Sequence, residues 1–402
     1  LAGPLGQTTR ADFMEHVECA GQIRYRGARA VWFGRLGTQG VSQGGQGGNF
    51  MIRGFASQFN VFKNGFRDDS FFSSRSQRDI INIESIEVVK SPPSYLYGRS
   101  DPGGMIHQIT KAPLKDPYYA AEMILGNYDL YRPQIDIGGP LNESKTLTYR
   151  FNGMYENAGS YREGVRSERI FLAPTFGWEL GPRTTFRFEA EYLYDNRPID
   201  RGLVAFGGGV ASIPINNFLG DPSRKLETNH GKTTLTFLHD FNDMFRWRTA
   251  FRAAVARSRY NSMESWFLIG DENEGNLNLA RFVIPTVTQS HYLQNELHGK
   301  FATGPLAHKT IVGVELGREV ASESAFSDFG GDTATPGAFS FINIFNTRNR
   351  FFLDTPLSKF SNSKTVNNIL GFYFGDHVNL LDNLHLHGGG RFDYFKQDLT
   401  NR

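Results

Sequence analysis

The chain has 402 residues, 39% of them hydrophobic and 14% aromatic, with 44 glycines, one cysteine and a formal charge of +2. Such a balance argues neither for a nucleic-acid footprint nor for an acidic tail, and a lone Cys19 excludes an intrachain disulfide framework. No run approaches the roughly 18 apolar residues of a membrane helix, so any membrane crossing has to be made by strands.

Residues 1 to 49 carry little pattern. The chain starts at Leu1, and no basic n-region followed by an apolar h-region marks an export signal. Between Cys19 and Asn49 arginine, glycine and glutamine crowd together with neither a helical nor a strand period. Two readings stay open: a flexible glycine-rich loop, or residues up to about Gln46 translated from a shifted frame. No nucleic-acid motif surrounds these arginines.

From Asn49 onward short strands become readable. Phe50 and Ile52, then Val61, Phe62 and Phe66 mark them, with Asn64-Gly65 as a hairpin turn. Arg67, Asp68, Asp69, Ser70, Phe71, Phe72 and Ser73 follow as a polar and aromatic loop. Ile83, Ile86 and Val88 alternate with Glu84 and Glu87 as in a half-buried strand, which Ser91, Pro92 and Pro93 stop because proline lacks a ladder donor. Tyr95, Leu96 and Tyr97 supply apolar contact before a reversal through Gly98, Asp101, Pro102, Gly103 and Gly104, where glycine tolerates positive φ. Met105, Ile106, Ile109 and Thr110 make the next strand, closed by Lys111, Ala112 and Pro113.

Two of these runs carry a resemblance. Ile52-Arg53-Gly54-Phe55 with Val61-Phe62-Lys63-Asn64-Gly65 and Arg67-Asp68 is the first; Ile86 to Val89, Lys90, Pro92, Leu96, Tyr97, Gly98 and Pro102-Gly103-Gly104 is the second. Together they are similar to the plug domain of TonB-dependent outer-membrane receptors, the ferric-siderophore receptors especially. The resemblance implies a small mixed α+β plug over residues 1–113, well matched from 50 to 113. Residues 1–49 are atypical, because the helix and Pro-Gly-Val turn expected there are missing. It implies the TonB energy-transducing complex, a ferric siderophore and outer-membrane lipid as partners, with no nucleic acid and no cofactor, the iron chelate being the cargo. The short TonB-pairing motif of such receptors is not visible. Loops placed like Arg67, Phe71 and Phe72 form the floor of the ligand site in the resembled receptors, and arginine donors with aromatic faces suit a bulky chelate. An ordinary solvated loop is the other reading. Arg53 and Arg99, with Gly54, Gly98, Gly103 and Gly104, are read as structural, holding the plug to the barrel wall.

After Pro113 long alternating segments begin. Tyr118 to Leu125 and Leu130 to Gly138 are joined by Gly126-Asn127-Tyr128-Asp129, and Thr146 to Asn157 follows. Ile170, Leu172, Pro174, Phe176, Trp178 and Leu180 share one face, and Phe186, Phe188, Ala190, Tyr192 and Tyr194 oppose Arg187, Glu189, Glu191 and Asp195. Phe245, Trp247, Thr249, Phe251, Ala253 and Val255 repeat the pattern against Arg246, Arg248 and Arg252. A soluble sandwich alternates too, but its strands run to about 5 or 6 residues, against roughly 9 to 11 in a membrane. These segments are of the longer kind, and Tyr118, Trp178, Tyr194 and Phe241 near their ends suit interfacial girdles. Asn196 to Asn229, Arg257 to Arg281 and Phe326 to Lys364 are expected as long outer loops. Late strands are expected over Thr286 to Ala302, His308 to Ser322, Thr365 to Leu380 and Leu384 to Gln397. His385 and His387 share a face of the last, a spacing that suits a metal pair, although no third ligand stands near and a solvated or lumen-facing pair is the plainer reading.

The fold class expected is therefore all-β membrane protein: a plug, then residues 114–402 as the N-terminal part of an antiparallel transmembrane barrel of roughly eleven strands. The resembled transporters close about 22 strands around a plugged lumen. An open sheet leaves two edges, each exposing on the order of ten backbone groups at several kcal/mol apiece, far above a domain's net stability of about 5 to 15 kcal/mol. The chain is accordingly read as a partial or truncated copy of a ferric-siderophore receptor and transporter. No nucleophile–base pair, phosphate loop or dense ligand spacing argues for an enzyme. A corrinoid, haem or oligosaccharide receptor is the alternative within the family. A passive porin lacks the two plug motifs, and a secreted adhesin or hydrolase needs a second sheet to cover the apolar face.

Overall fold

The computed structural model describes residues 23–26, 51–52, 55–56, 60–68, 79–89, 94–98, 103–206, 209–269, 274–331, 339–381 and 383–401. The first seven strands are β1 (Ile23–Arg26), β2 (Met51–Ile52), β3 (Phe55–Ala56), β4 (Val61–Lys63), β5 (Phe66–Arg67), β6 (Ile83–Val89) and β7 (Met105–Thr110). Five of them form a mixed sheet in the order β1-β6-β7-β4-β5, parallel where β4 meets β7, while β2 pairs with β3. Asn64 (φ 49) and Gly65 (φ 82) both take left-handed backbone, the geometry a two-residue hairpin between twisted strands requires.

This sheet buries Val61, Ile86, Val88 and Ile106 in one cluster and Phe62, Val89 and Met105 in another. The second cluster also holds Leu96 and Tyr97, which stand not on an irregular turn but on a single helical turn, α1 (Ser94–Tyr97). Gly98, at φ 74, ends it and donates its N–H to the Ser94 carbonyl at 2.9 Å.

The remaining strands are β8 (Tyr118–Gly126), β9 (Leu130–Pro140), β10 (Leu147–Gly159), β11 (Arg166–Gly181), β12 (Thr184–Arg197), β13 (Ala205–Phe206), β14 (Gly209–Val210) and β15 (Leu226–Asp240). They continue with β16 (Phe245–Ile269), β17 (Asn276–Thr303), β18 (Leu306–Ser327), β19 (Ser340–Asn343), β20 (Arg350–Phe351), β21 (Ser358–Leu381) and β22 (Leu384–Asn401). One 13-stranded antiparallel sheet runs β22-β21-β18-β17-β16-β15-β12-β11-β10-β9-β8, with β19 and β20 as a side ladder on β17. Among the described residues β8 and β22 are its two edges, and the sheet is not closed.

Polarity in this sheet is inverted relative to a soluble protein. Along β11, Leu172, Phe176, Trp178 and Leu180 stay 38–52% exposed, whereas Arg169, Phe171, Ala173 and Thr175 are buried. Arg187, Glu189 and Asp195 of β12 and Arg248 and Arg252 of β16 are buried likewise. The concave face holds the charges because the plug sheet sits there, and the convex face carries rings and aliphatics because its solvent is hydrocarbon. No described helix is long and apolar enough to cross a membrane.

Tight turns alternate with long connections. Residues 182–183, 241–244 and 304–305 join strands at one end, and the connections from β12 to β15 and from β18 to β21 lie at the other. The expected loop from Arg257 to Arg281 is mostly strand, since β16 runs to Ile269 and β17 starts at Asn276. Ladder pairing continues there because a further apolar cluster, Met263, Leu277, Leu279, Ile342 and Ile344, packs on the hairpin. Ser358 to Lys364 is likewise strand, not loop. Phe372, 48% exposed on the convex face, tests the inversion. Phe372→Lys is expected to cost the inserted fold about 2–4 kcal/mol, read as a lower urea midpoint in lipid vesicles, whereas an unchanged midpoint would place that face in water.

Candidate functional site

The β4–β5 hairpin is one of the points where plug and wall meet. Lys63 Nζ donates to Glu191 of β12 at 3.1 Å, and Asn64 Nδ2 donates to Glu189 at 2.9 Å. Asp68, just past the hairpin, pairs with Lys232 of β15 and lies 3.8 Å from Arg252 of β16. Glu191 also accepts from Asn82 at 2.8 Å and from Lys232 at 3.3 Å. One carboxylate thus serves two lysines from different domains. Phe66 fills the gap between Arg252, 4.6 Å from its ring centre, and Arg248 at 5.8 Å.

The hairpin's own chemistry fixes a tautomer. Gly65 N–H donates to His107 Nε2 at 3.1 Å, so that nitrogen is an acceptor; Nδ1 then carries the proton and faces Glu87 at 3.3 Å. The Gly65 carbonyl accepts from Gln294 of β17 at 3.3 Å.

A second contact lies at α1. Arg391 of β22 donates to the Leu96 carbonyl at 3.3 Å and to Glu315 at 3.0 Å, with Tyr373 beneath its guanidinium at 5.2 Å. A Cβ on Gly98 would stand 3.2 Å from that guanidinium. Tyr95 hydrogen-bonds His387, and a Cβ on Gly389 would approach the Tyr95 ring to 2.6 Å, so Gly389 leaves room for α1 to lie against the wall. The two contacts are joined. Gln294 also donates to Glu315 at 2.6 Å, giving a path Gly65–Gln294–Glu315–Arg391–Leu96, and Tyr373 donates to Glu296, which accepts from Arg248. Further along, Arg132 reaches Asp79 at 3.1 Å and Lys111 reaches Asp136 at 2.8 Å.

Of the residues singled out from sequence, Arg67 is half-buried on β5 with its guanidinium 5.1 Å from the Phe62 ring centre. Gly98 touches Arg391 as described, Gly103 and Gly104 are buried, and Gly104 (φ 133) accepts at its carbonyl from Asn60 at 2.7 Å. Arg53, Gly54, Phe71, Phe72 and Arg99 lie outside the described residues. His387 is engaged with Tyr95, His385 stacks on His377 at 5.4 Å, and no group of described residues has the geometry to hold a metal. Sequence reasoning missed Arg391, Gln294 and Glu191 as plug contacts. The alternation marked Glu191 as facing inward; nothing local says which plug residue it meets.

At the long-loop end a cavity of about 650 Å³ opens between the 199–205 and 218–220 segments and the far parts of β16 and β17. Leu203, Val204, Phe218, Met263, Trp266 and Phe267 line it, with Arg201 as its charged residue. Arg201 is tied to Glu264 and, at 2.9 Å, to the Tyr260 hydroxyl. Burial works against its charge, but these partners outweigh burial and hold its pKa above the ordinary value.

The family described as TonB-dependent Receptor Plug Domain matches residues 27–105, and the one described as TonB dependent receptor-like, beta-barrel matches residues 176–402. The Metal-pseudopaline receptor CntO of Pseudomonas aeruginosa is 31% identical over 243 residues, covering 60% of this chain and 34% of that receptor. The Ferrichrome outer membrane transporter/phage receptor of Escherichia coli is 26% identical over 399 residues, covering 91% of this chain and 52% of its own length. Among solved structures, the open form of the Ferric-Catecholate import receptor Fiu from E. coli superposes with a TM-score of 0.77 at 21% identity, covering 88% of this chain and 55% of that one. The chain thus spans between a third and about half the length of these curated relatives.

Two substitutions test the seat. Glu191→Ala leaves Lys63 without its carboxylate and Lys232 with Asp68 alone, and is expected to cost about 3–5 kcal/mol of plug docking, seen as faster proteolysis of residues 60–110. Gly389→Val should push α1 off the wall at about 1–3 kcal/mol, with the same readout near Tyr95. Unchanged cleavage in either would remove that contact from the seat.

Proposed function

The chain belongs to the TonB-dependent receptors, and from that premise we propose that it serves uptake of ferric siderophores across the outer membrane of a Gram-negative cell, driven through the TonB complex. The observation that carries this reading is the plug sheet seated against the charged concave face of the wall by Lys63, Asp68 and Glu191. A passive porin has no plug sheet to seat, which disfavours that reading, and ion pairs with hydrogen bonds can be exchanged for water when the plug is pulled. Binding and translocation need no covalent step, so no catalytic group is called for. The named relatives include receptors for ferrichrome, ferrioxamine B and catecholate siderophores, and one for metal-pseudopaline. These favour an iron chelate over a corrinoid, haem or an oligosaccharide as cargo.

The test is uptake of radiolabelled iron by cells that lack their own ferric-chelate receptors and express the full gene product. Uptake should appear with a ferric siderophore and vanish when TonB is removed. Uptake of a corrinoid or haem without ferric chelates, or iron entry independent of TonB, would overturn the proposal. Within it, Arg67 with Phe71 and Phe72 is retained as part of the chelate floor. Arg67→Ala combined with Phe71→Ala should weaken chelate binding about tenfold, or about 1.4 kcal/mol, with assembly unaltered on a heat-modifiability gel. Equal affinity would take these residues out of the site.

A further inference from the structure

At the tight-turn end of the wall three imidazoles meet where α1 lies against it. His377 of β21 and His387 of β22 are direct cross-strand partners, and His385 stands two residues before His387 on the same face. The His377 ring lies 5.4 Å from that of His385 and 6.1 Å from that of His387. Tyr95 completes the group from the plug side, its ring 5.2 Å from that of His387 and its hydroxyl hydrogen-bonded to His387 Nε2. His377 is 4% exposed, His387 is half-buried, and His385 is open to solvent.

The charges that face this stack come from several elements. α1 itself, Ser94–Tyr97, carries none. Lys309 of β18 stands opposite His377 in the ladder, on the same face. Further along that face Glu315 and Asp393 are both held by Arg391. Asp376 precedes His377, points to the other face by the strand alternation and pairs with His308 at 2.8 Å. Neutral imidazoles stack without electrostatic cost, and a neutral His387 can accept at Nε2 from the Tyr95 hydroxyl. Protonation turns that nitrogen into a donor, and a second charge on His377 or His385 adds like-charge repulsion at the ring spacings just given, with Lys309 alongside. Histidine changes charge between about pH 5 and 8, so the contact between α1 and the wall is tied to the acidity of the medium.

We propose that His377, His385 and His387 form an acid-sensitive latch. Neutral, they hold α1 against β21 and β22 through Tyr95; as the medium acidifies they repel one another, and α1 comes away from the wall. The latch concerns the hold of the plug on the wall and is independent of which cargo the receptor takes.

The experiment uses the full gene product in detergent, its native cysteines changed to serine, with a nitroxide attached through Ser94→Cys at the exposed first residue of α1. The electron paramagnetic resonance spectrum then reports the mobility of α1. From pH 8 to pH 5 the immobile fraction is expected to fall at least about twofold, with a midpoint inside the histidine window. His377→Gln combined with His387→Gln, whose amides cannot titrate but can still meet the Tyr95 hydroxyl, should abolish the step and leave the label immobile at both ends. His377→Gln alone should at least halve it. A merely structural contact would shift mobility equally at every pH. A nitroxide attached through Tyr119→Cys, exposed on β8, reports general loosening and should give one spectrum throughout. An unchanged spectrum at residue 94, a step that survives the double substitution, or a parallel step at residue 119 overturns the latch. Each of these outcomes leaves the ferric-chelate reading to its own uptake assay.

Discussion

Glu191 is the constraint on which the arrangement of plug and wall turns. A carboxylate taken out of water loses several kcal/mol of hydration, and Glu191 recovers this by serving Lys63 from the plug, Lys232 from the next wall strand and the Asn82 amide. Moved off Glu191, Lys63 loses its carboxylate and the Asn82 amide its acceptor, while Lys232 keeps Asp68. The plug therefore has one favourable position against β12 and β15, and the inward alternation of charge along those strands follows from that position. An apolar seat of equal area would bind as well but would tolerate sliding; an ionic seat is specific in register.

The seat is extended rather than local. From the Gly65 carbonyl, Gln294, Glu315 and Arg391 lead across β17, β18 and β22 to the Leu96 carbonyl, while Arg248, Glu296 and Tyr373 run alongside. Hydrogen bonds in such a chain polarise one another in a medium of low dielectric, and each member fixes the rotamer of the next. The hairpin and α1, far apart in sequence, are thus held by one set of wall side chains.

Much of this arrangement is legible in the sequence. Period-two alternation identified the strands and their two faces because lipid outside and plug inside impose opposite demands on successive residues, and Asn64-Gly65 announced its hairpin through the backbone both residues tolerate. Strand ends were not legible at the long-loop side. From Arg257 to Arg281 the chain looked like a loop, yet the ladder continues, because Leu277, Leu279 and Ile342 supply a small core that lies in neighbouring segments rather than in the local pattern. The partners of the plug were hidden for a related reason. Gly388-Gly389-Gly390-Arg391 looks permissive on its own, and its meaning depends on the ring of Tyr95, nearly three hundred positions earlier.

The hairpin of β16 and β17 holds 25 and 28 residues, each roughly 80 to 90 Å of extended chain at about 3.3 Å per residue, whereas a tilted strand needs only about 9 to 11 residues to cross a bilayer. The surplus stands beyond the lipid as a ribbon stiffened by its own ladder and by the apolar cluster around Met263. Flexible surface loops must be ordered by whatever grasps them, and that ordering weakens the grasp. A ribbon already in shape imposes no such penalty. At this end of the wall the molecule has a shape that is set before anything touches it.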